Sequence, residues 1–224
     1  MIFIRRDLEG LERSLLVLAA QVEEAVRRSI TALLESRTDL AEGVIRGDAE
    51  IDRREVELEE ECLKVLALHQ PVASDLRFVT ACLKIDNDLE RIGDLAANIA
   101  KRVLSLAAMP PIPVPRLTAE MVEESTRMLR DSIEAFIQGD AVLARKICNR
   151  DERVDRANRR VIGELLELMH EDPSKIDQAV ELVSASKSLE RIADHATNIA
   201  EDVIYLVEGD IIRHQVEPLQ ARAE

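Results

Sequence analysis

Four pairs of acidic residues, each spaced i and i+4, stand out in this chain. Residues 89–103 read LERIGDLAANIAKRV and residues 189–203 read LERIADHATNIAEDV, so Glu90/Asp94 recur as Glu190/Asp194. Earlier in each half, GDAEIDRREVE (47–57) and NRDERVDRANR (149–159) carry Asp48/Asp52 and Asp151/Asp155. On a helix this spacing sets both carboxylates on one face. Carboxylates supply only oxygen donors, which suit Mg, Ca, Mn or Fe, with Zn admissible. One such pair means little. With 44 acids in 224 residues, chance alone yields roughly nine. Each also costs about 0.2–0.5 kcal/mol in like-charge repulsion.

The elements that must position these acids are helices. Apolar residues recur at three- and four-residue steps, as in Ile192, Ala196, Ile199 and Val203. The periodicity predicts helices over about 8–36, 48–69 and 74–107, then about 117–137, 149–170 and 175–207. Breaks are expected near Gly43–Gly47, Pro71, Gly139 and Pro173, with Ser74 and Asp172 as N-caps. AAMPPIPVPR (107–116) holds four of the seven prolines and reads as a stiff linker. The expected fold is all-α: a first three-helix bundle over 1–108 and a second over 117–210. Residues 109–116 join them, and 211–224 form a tail.

Hairpin geometry sets these four pairs apart from the chance background. Facing residues in an antiparallel hairpin have position numbers of constant total. Asp48 with Asp94 and Asp52 with Glu90 both total 142, which centres the hairpin on Pro71. Asp151 with Asp194 and Asp155 with Glu190 both total 345, centred between Asp172 and Pro173. Both centres fall on predicted turns. Each hairpin therefore brings four carboxylates to one level. On a helical wheel the acids lie off the apolar arc, on an outer stripe. A cation relieves the repulsion of four such groups, and bridging carboxylates suit a small cluster of ions. The competing reading is a solvated acid stripe paired with Arg53, Arg91, Arg156 and Arg191.

Other candidates are weaker. His195 reads as a surface residue or a rim ligand. Glu167-Leu-Met-His170 has the spacing of a carboxylate di-iron ligand pair, but it occurs once and far from the acids. Gly93 and Ala193 match between the halves and permit close helix approach; Asn98 and Asn198 also match. No nucleophile elbow, Gly-rich phosphate loop or HExxH occurs, so neither a catalytic nor an organic-cofactor site is expected.

Composition narrows the function further. A net charge of −14 argues against nucleic acid, which needs a basic surface. Aromatics are 2% and Trp is absent, so the core is built from aliphatic residues. Cys62, Cys82 and Cys148 form no CxxC and read as small buried hydrophobes in a reducing compartment. No stretch is long enough to span a membrane. The expectation is a cytoplasmic protein whose membrane contact goes through a partner.

QPVASDLRFVTACLKIDNDLERIGDLAANIAKRV (70–103) and LERIADHATNIAEDVIYL (189–206) resemble the PhoU family, as does the duplicated bundle with its four E/D-xxx-D motifs. The resemblance covers residues 5–208. It implies two three-helix bundles in pseudo-twofold symmetry. The repeats are expected to pack side by side with both acid patches on a common face, about an axis near the 107–116 linker. It implies multinuclear clusters of iron or zinc, held by Asp48, Asp52, Glu90 and Asp94 and by Asp151, Asp155, Glu190 and Asp194. It further implies a non-enzymatic regulator that couples the Pst phosphate ABC transporter to the PhoR sensor histidine kinase and represses the phosphate-starvation response. A homodimer is expected. The alternatives are a carboxylate-rich metal storage or oxidase protein and a metal-free helical scaffold. Lys101-Arg102 in one half against Glu201-Asp202 in the other predicts a more acidic second site.

Overall fold

The computed structural model describes residues 2–210, with side chains from residue 4 onward; the 211–224 tail lies outside the described residues. All regular elements among them are helical: α1 (Ile2–Glu35), α2 (Thr38–His69), α3 (Ala73–Ala107), α4 (Leu117–Gln138), α5 (Ala141–Cys148), α6 (Asp151–Glu171) and α7 (Ile176–Glu208). A 3₁₀ turn, Pro173–Lys175, leads into α7. Helices α1, α2 and α3 pack on one another, and α4, α5, α6 and α7 do likewise.

The predicted break at Gly43–Gly47 is absent from the first half. Helix α2 runs through both glycines from Thr38. Each helical glycine costs about 1 kcal/mol relative to Ala. Burial of Ala41, Val44 and Ile51 against the core holds the segment helical. The break occurs instead in the second half, at Asn149–Arg150, and divides the equivalent segment into α5 and α6. Arg150 is anchored there by Asp131 at 2.5 Å. Helix α5 starts at Asp140, whose carboxylate accepts from the Val142 and Leu143 amides. Asp172 caps the 3₁₀ turn, accepting from the Ser174 amide at 3.1 Å and its hydroxyl at 2.6 Å. Ser74 does not cap α3, which begins at Ala73 with Val72 as the flanking residue.

The two halves meet through α3 and α7. Arg77 Nε donates to the Leu206 carbonyl (3.3 Å), Lys84 pairs with Asp202 (3.0 Å), His195 Nδ1 meets Asp88 (2.8 Å), and Arg102 pairs with Glu181 (3.1 Å). Position numbers in these pairs total 283 to 286, so α3 and α7 run antiparallel along their lengths. The centre of this pairing lies near Ile92 and Ile192. It is not near the linker as expected: residues 107–116 begin about 15 positions further along, or about 22 Å at the helical rise. Ala96, Ala97, Ala100, Ala193, Ala196 and Ala200 are fully buried around that centre. Small side chains there let the two backbones approach. The apolar core is one continuous cluster through both halves.

Candidate metal centre

A twofold relating antiparallel neighbours runs perpendicular to the plane that contains them. Whatever lies on one face of α3 therefore lies on the same face of α7. Helices α1 and α4 touch, which covers one face. At the centre of the α3–α7 pair, Glu90 stands level with Asp194, and Asp94 with Glu190. All eight predicted acids fall in one band across the middle of the molecule.

In the second half the structure gathers Asp151, Asp155 and Asp194. One oxygen from each lies within 4.8 Å of the others. Asp151 sits at the first position of α6, where the helix dipole favours its charge. Its Oδ1 is buried without a hydrogen-bond partner. Burial, then the charges of Asp155 and Glu190, raise the Asp151 carboxyl above its ordinary value; the Thr197 hydroxyl, beside it, opposes this. Asp194 is pushed up to about 6 by burial and by Asp151, Glu190 and Asp155, with His195 opposing. Glu190 is thus close enough to act on both aspartates without being among the three converging oxygens.

In the first half the same four positions interact but do not converge as tightly. Burial, followed by Asp52 and Asp94, raises the Asp48 carboxyl, and Lys101 opposes. Burial and Asp94 raise that of Glu90, with Arg91 opposing. Asp48 Oδ1 is buried without a hydrogen bond, and Glu90 Oε2 has only the ion pair to Arg91. Arg91 leans over this group, 3.4 Å from Glu90 and 3.6 Å from Asp94. The contrast between Lys101 and Glu201 thus holds at the first site, where Lys101 acts on Asp48. Arg102 and Asp202 do other work, as cross-half ion pairs to Glu181 and Lys84.

Seven of the eight acids are half-buried and only Asp52 is exposed. They line the inter-helix grooves and not an outer stripe. Of the arginines offered as neutralising partners, Arg53 pairs with Glu50 and Glu57, and Arg156 with Glu152. Of these only Arg91 engages the acids, and Arg159, one turn along α6, reaches Asp155 at 3.8 Å. Orphaned buried oxygens at both sites, on groups that repel one another, fit a cation. The donor set is all carboxylate and suits an oxygen-ligated ion or a bridged cluster.

Several residues take roles the spacing did not assign. His195 is a bridge between the halves and not a surface residue. Asp88, buried at 7% exposure, accepts from Asn198 Nδ2 (3.1 Å) as well as meeting His195. The matched Asn198 was the available signal. His69 pairs with Asp7 at 2.8 Å, and Glu167 and His170 are exposed at the far end of the hairpin.

The fold and sites define a class: a duplicated three-helix bundle with paired carboxylate grooves. The chain belongs to the PhoU family, whose domain profile matches residues 15–103 and 118–203. Two relatives are named phosphate-specific transport system accessory protein PhoU homolog. The one from Pseudomonas putida is 40% identical, covering 93% of this chain and 82% of the relative. The one from Aquifex aeolicus is 41% identical, covering 94% and 95%. The crystal structure of PhoU from Pseudomonas aeruginosa superposes with a TM-score of 0.88 at 38% identity, covering 92% of this chain and 99% of that one. The crystal structure of the phosphate transport system regulatory protein PhoU from Streptococcus pneumoniae gives 0.87 at 33%, covering 93% and 98%.

Proposed function

We propose that this chain is a metal-binding accessory protein that regulates phosphate uptake without catalysing a reaction. The observation that carries the regulatory reading is the near full-length likeness to proteins named as accessory or regulatory components of phosphate transport. The metal reading rests on the band of eight acids and its orphaned buried oxygens. Asp48, Asp52, Glu90 and Asp94 hold one ion or cluster, and Asp151, Asp155, Glu190 and Asp194 the other. Iron or zinc is the expected metal. The partners are the phosphate ABC transporter and its sensor histidine kinase, met in the cytoplasm, with the chain acting as a homodimer. No helix among the described residues is long and apolar enough to cross a membrane, and a charge of −14 disfavours anionic lipid. Attachment is therefore through protein.

The decisive experiment replaces the chromosomal copy with an in-frame deletion and measures a phosphate-starvation reporter at ample phosphate. Loss of repression, restored by the wild type, supports the reading; an unaltered reporter overturns it. Fractionation adds a second arm. The protein should move to membranes only when the transporter is present.

A further inference from the structure

The two repeats settle their buried polar positions differently. In the second core Ser186 donates to Asn158 Oδ1 at 2.7 Å, at positions that the first half gives to Asp86 and Glu55. The same comparison at the carboxylate groups singles out Thr197. Its counterpart is Ala97, which is fully buried and carries no polar atom on its side chain. Thr197 stands seven residues after Glu190 and three after Asp194 on α7, so it shares their face of the helix. Asp151 meets that face from the first turn of α6.

Thr197 Oγ1 is shut off from solvent and has no hydrogen-bond partner, and the same holds for Asp151 Oδ1. A hydroxyl beside a carboxylate ordinarily closes a hydrogen bond, because each buried group left unpaired costs about 1–3 kcal/mol. Here both oxygens stay open, next to the convergence of Asp151, Asp155 and Asp194 within 4.8 Å. An ion that both oxygens ligate accounts for the pair. A hydroxyl also suits the charge of the group. Asp151, Asp155, Glu190 and Asp194 are four acids, and a fifth anionic donor would add repulsion. Thr197 adds a ligand without adding a charge. The first group meets its repulsion with protein cations instead. Arg91 pairs with Glu90 and Asp94, and Lys101 stands where the second half has Glu201.

We propose that the Thr197 hydroxyl is the neutral oxygen ligand of the second carboxylate site, a ligand the first site lacks, and that it favours hard, oxygen-preferring ions there, iron over zinc. The inference rests on the metal reading given above. Alcohol oxygen is a donor for hard cations, whereas zinc sites are built mostly from sulfur and nitrogen. The two sites of one chain therefore differ in selectivity although their four acids match.

The test uses the full chain, stripped of metal with chelator, and Mn²⁺ as the probe. Free Mn²⁺ is counted by electron paramagnetic resonance, with Glu190→Ala/Asp194→Ala as the chain that lacks the second site. Thr197→Val keeps the side-chain shape and removes the oxygen. It should weaken Mn²⁺ binding at the second site roughly tenfold or more, leave the first site unchanged, and let Zn²⁺ displace Mn²⁺ at lower concentration than in wild type. Thr197→Ser should keep the wild-type affinity. Chelated Thr197→Val should melt no lower than chelated wild type, because a methyl replaces an unpaired hydroxyl; a merely structural role would lower it. Thr197→Cys in a Cys148→Ala chain decides the matter if Thr197→Val does not fold. With Cd²⁺ it should add a thiolate-to-metal charge-transfer band to whatever Cys148→Ala alone shows. A wild type that takes up no Mn²⁺ overturns the metal reading and this inference together. A wild type that takes it up while Thr197→Val binds equally well, or a Cd²⁺-loaded Thr197→Cys chain without the added band, overturns this inference alone.

Discussion

Asp88 on α3 and His195 on α7 meet at 2.8 Å across the boundary between the halves, 107 positions apart in the chain. Each lies beside one of the carboxylate groups: Asp88 two residues before Glu90, His195 next to Asp194. The contact has no symmetric mate, because the equivalent positions are Ser188 and Leu95. The two acid groups are therefore joined through one asymmetric bridge. His195→Ala should destabilise the protein by about 1–2 kcal/mol, since a buried carboxylate loses a partner and keeps only Asn198. In a double-mutant cycle with Asp88→Ser, the paired change should cost less than the two single changes together. Denaturant melts measure both, and strict additivity would remove the coupling.

Gly93 and Ile51 exchange bulk with Ala193 and Val154. A methyl group on Gly93 would press on Ile51 Cγ2 at 3.1 Å and Cδ1 at 3.2 Å. Gly93→Ala gains about 1 kcal/mol of helix propensity but overpacks at about 1–3 kcal/mol. A net loss of about 1 kcal/mol is expected. Ile51→Val in the same chain should recover it, since that pair reproduces the second half. A Gly93→Ala variant as stable as wild type would show that α2 yields freely.

Asp86 makes metal-free stability depend on pH. Burial, then Glu55, Glu59 and Glu90, push its carboxyl from 3.8 up to about 8. The folded chain holds this proton where the unfolded chain has lost it. Stability should therefore fall as pH rises from about 4 towards about 8. Asp194, raised to about 6, adds to the loss between about 4 and 6. The double variant Glu55→Asn with Asp86→Ser imports the Asn158–Ser186 hydrogen bond. It should stabilise by about 1–3 kcal/mol at neutral pH and by little near pH 4. Chemical melts of chelated protein across this range test the slope.

Metal should reverse that trend, because carboxylates ligate in their ionised form. At a hundredfold excess over the dissociation constant, wild type should gain about 2.7 kcal/mol per site. The gain should shrink below about pH 6, where Asp194 takes up its proton. Glu190→Ala with Asp194→Ala should lose the second-site share of the gain while keeping the first. Thermal melts with Fe, Mn, Zn or Mg, alongside metal analysis, read this out. No response to any of them would leave the acids as a polar groove.

The sequence by itself determined the repeat, the helices and the pairing of acids within each hairpin. Helical periodicity and constant position totals are local rules, and Asp48 against Asp94 obeys them whatever surrounds the hairpin. It could not place the break between α5 and α6. Glycines at 43 and 47 and an Asn-Arg pair at 149–150 both read as punctuation, and only the packing of Ala41, Val44 and Ile51 keeps α2 whole. It read His195 as a surface residue or a rim ligand, because the partner it meets, Asp88, lies in the other repeat. The antiparallel docking of α3 on α7 put all eight acids in one band, merged the two expected cores into one, and turned Arg102 and Asp202 from site residues into cross-half ion pairs. Docking depends on contacts about a hundred positions apart, and no periodicity within either helix encodes which face the other will meet.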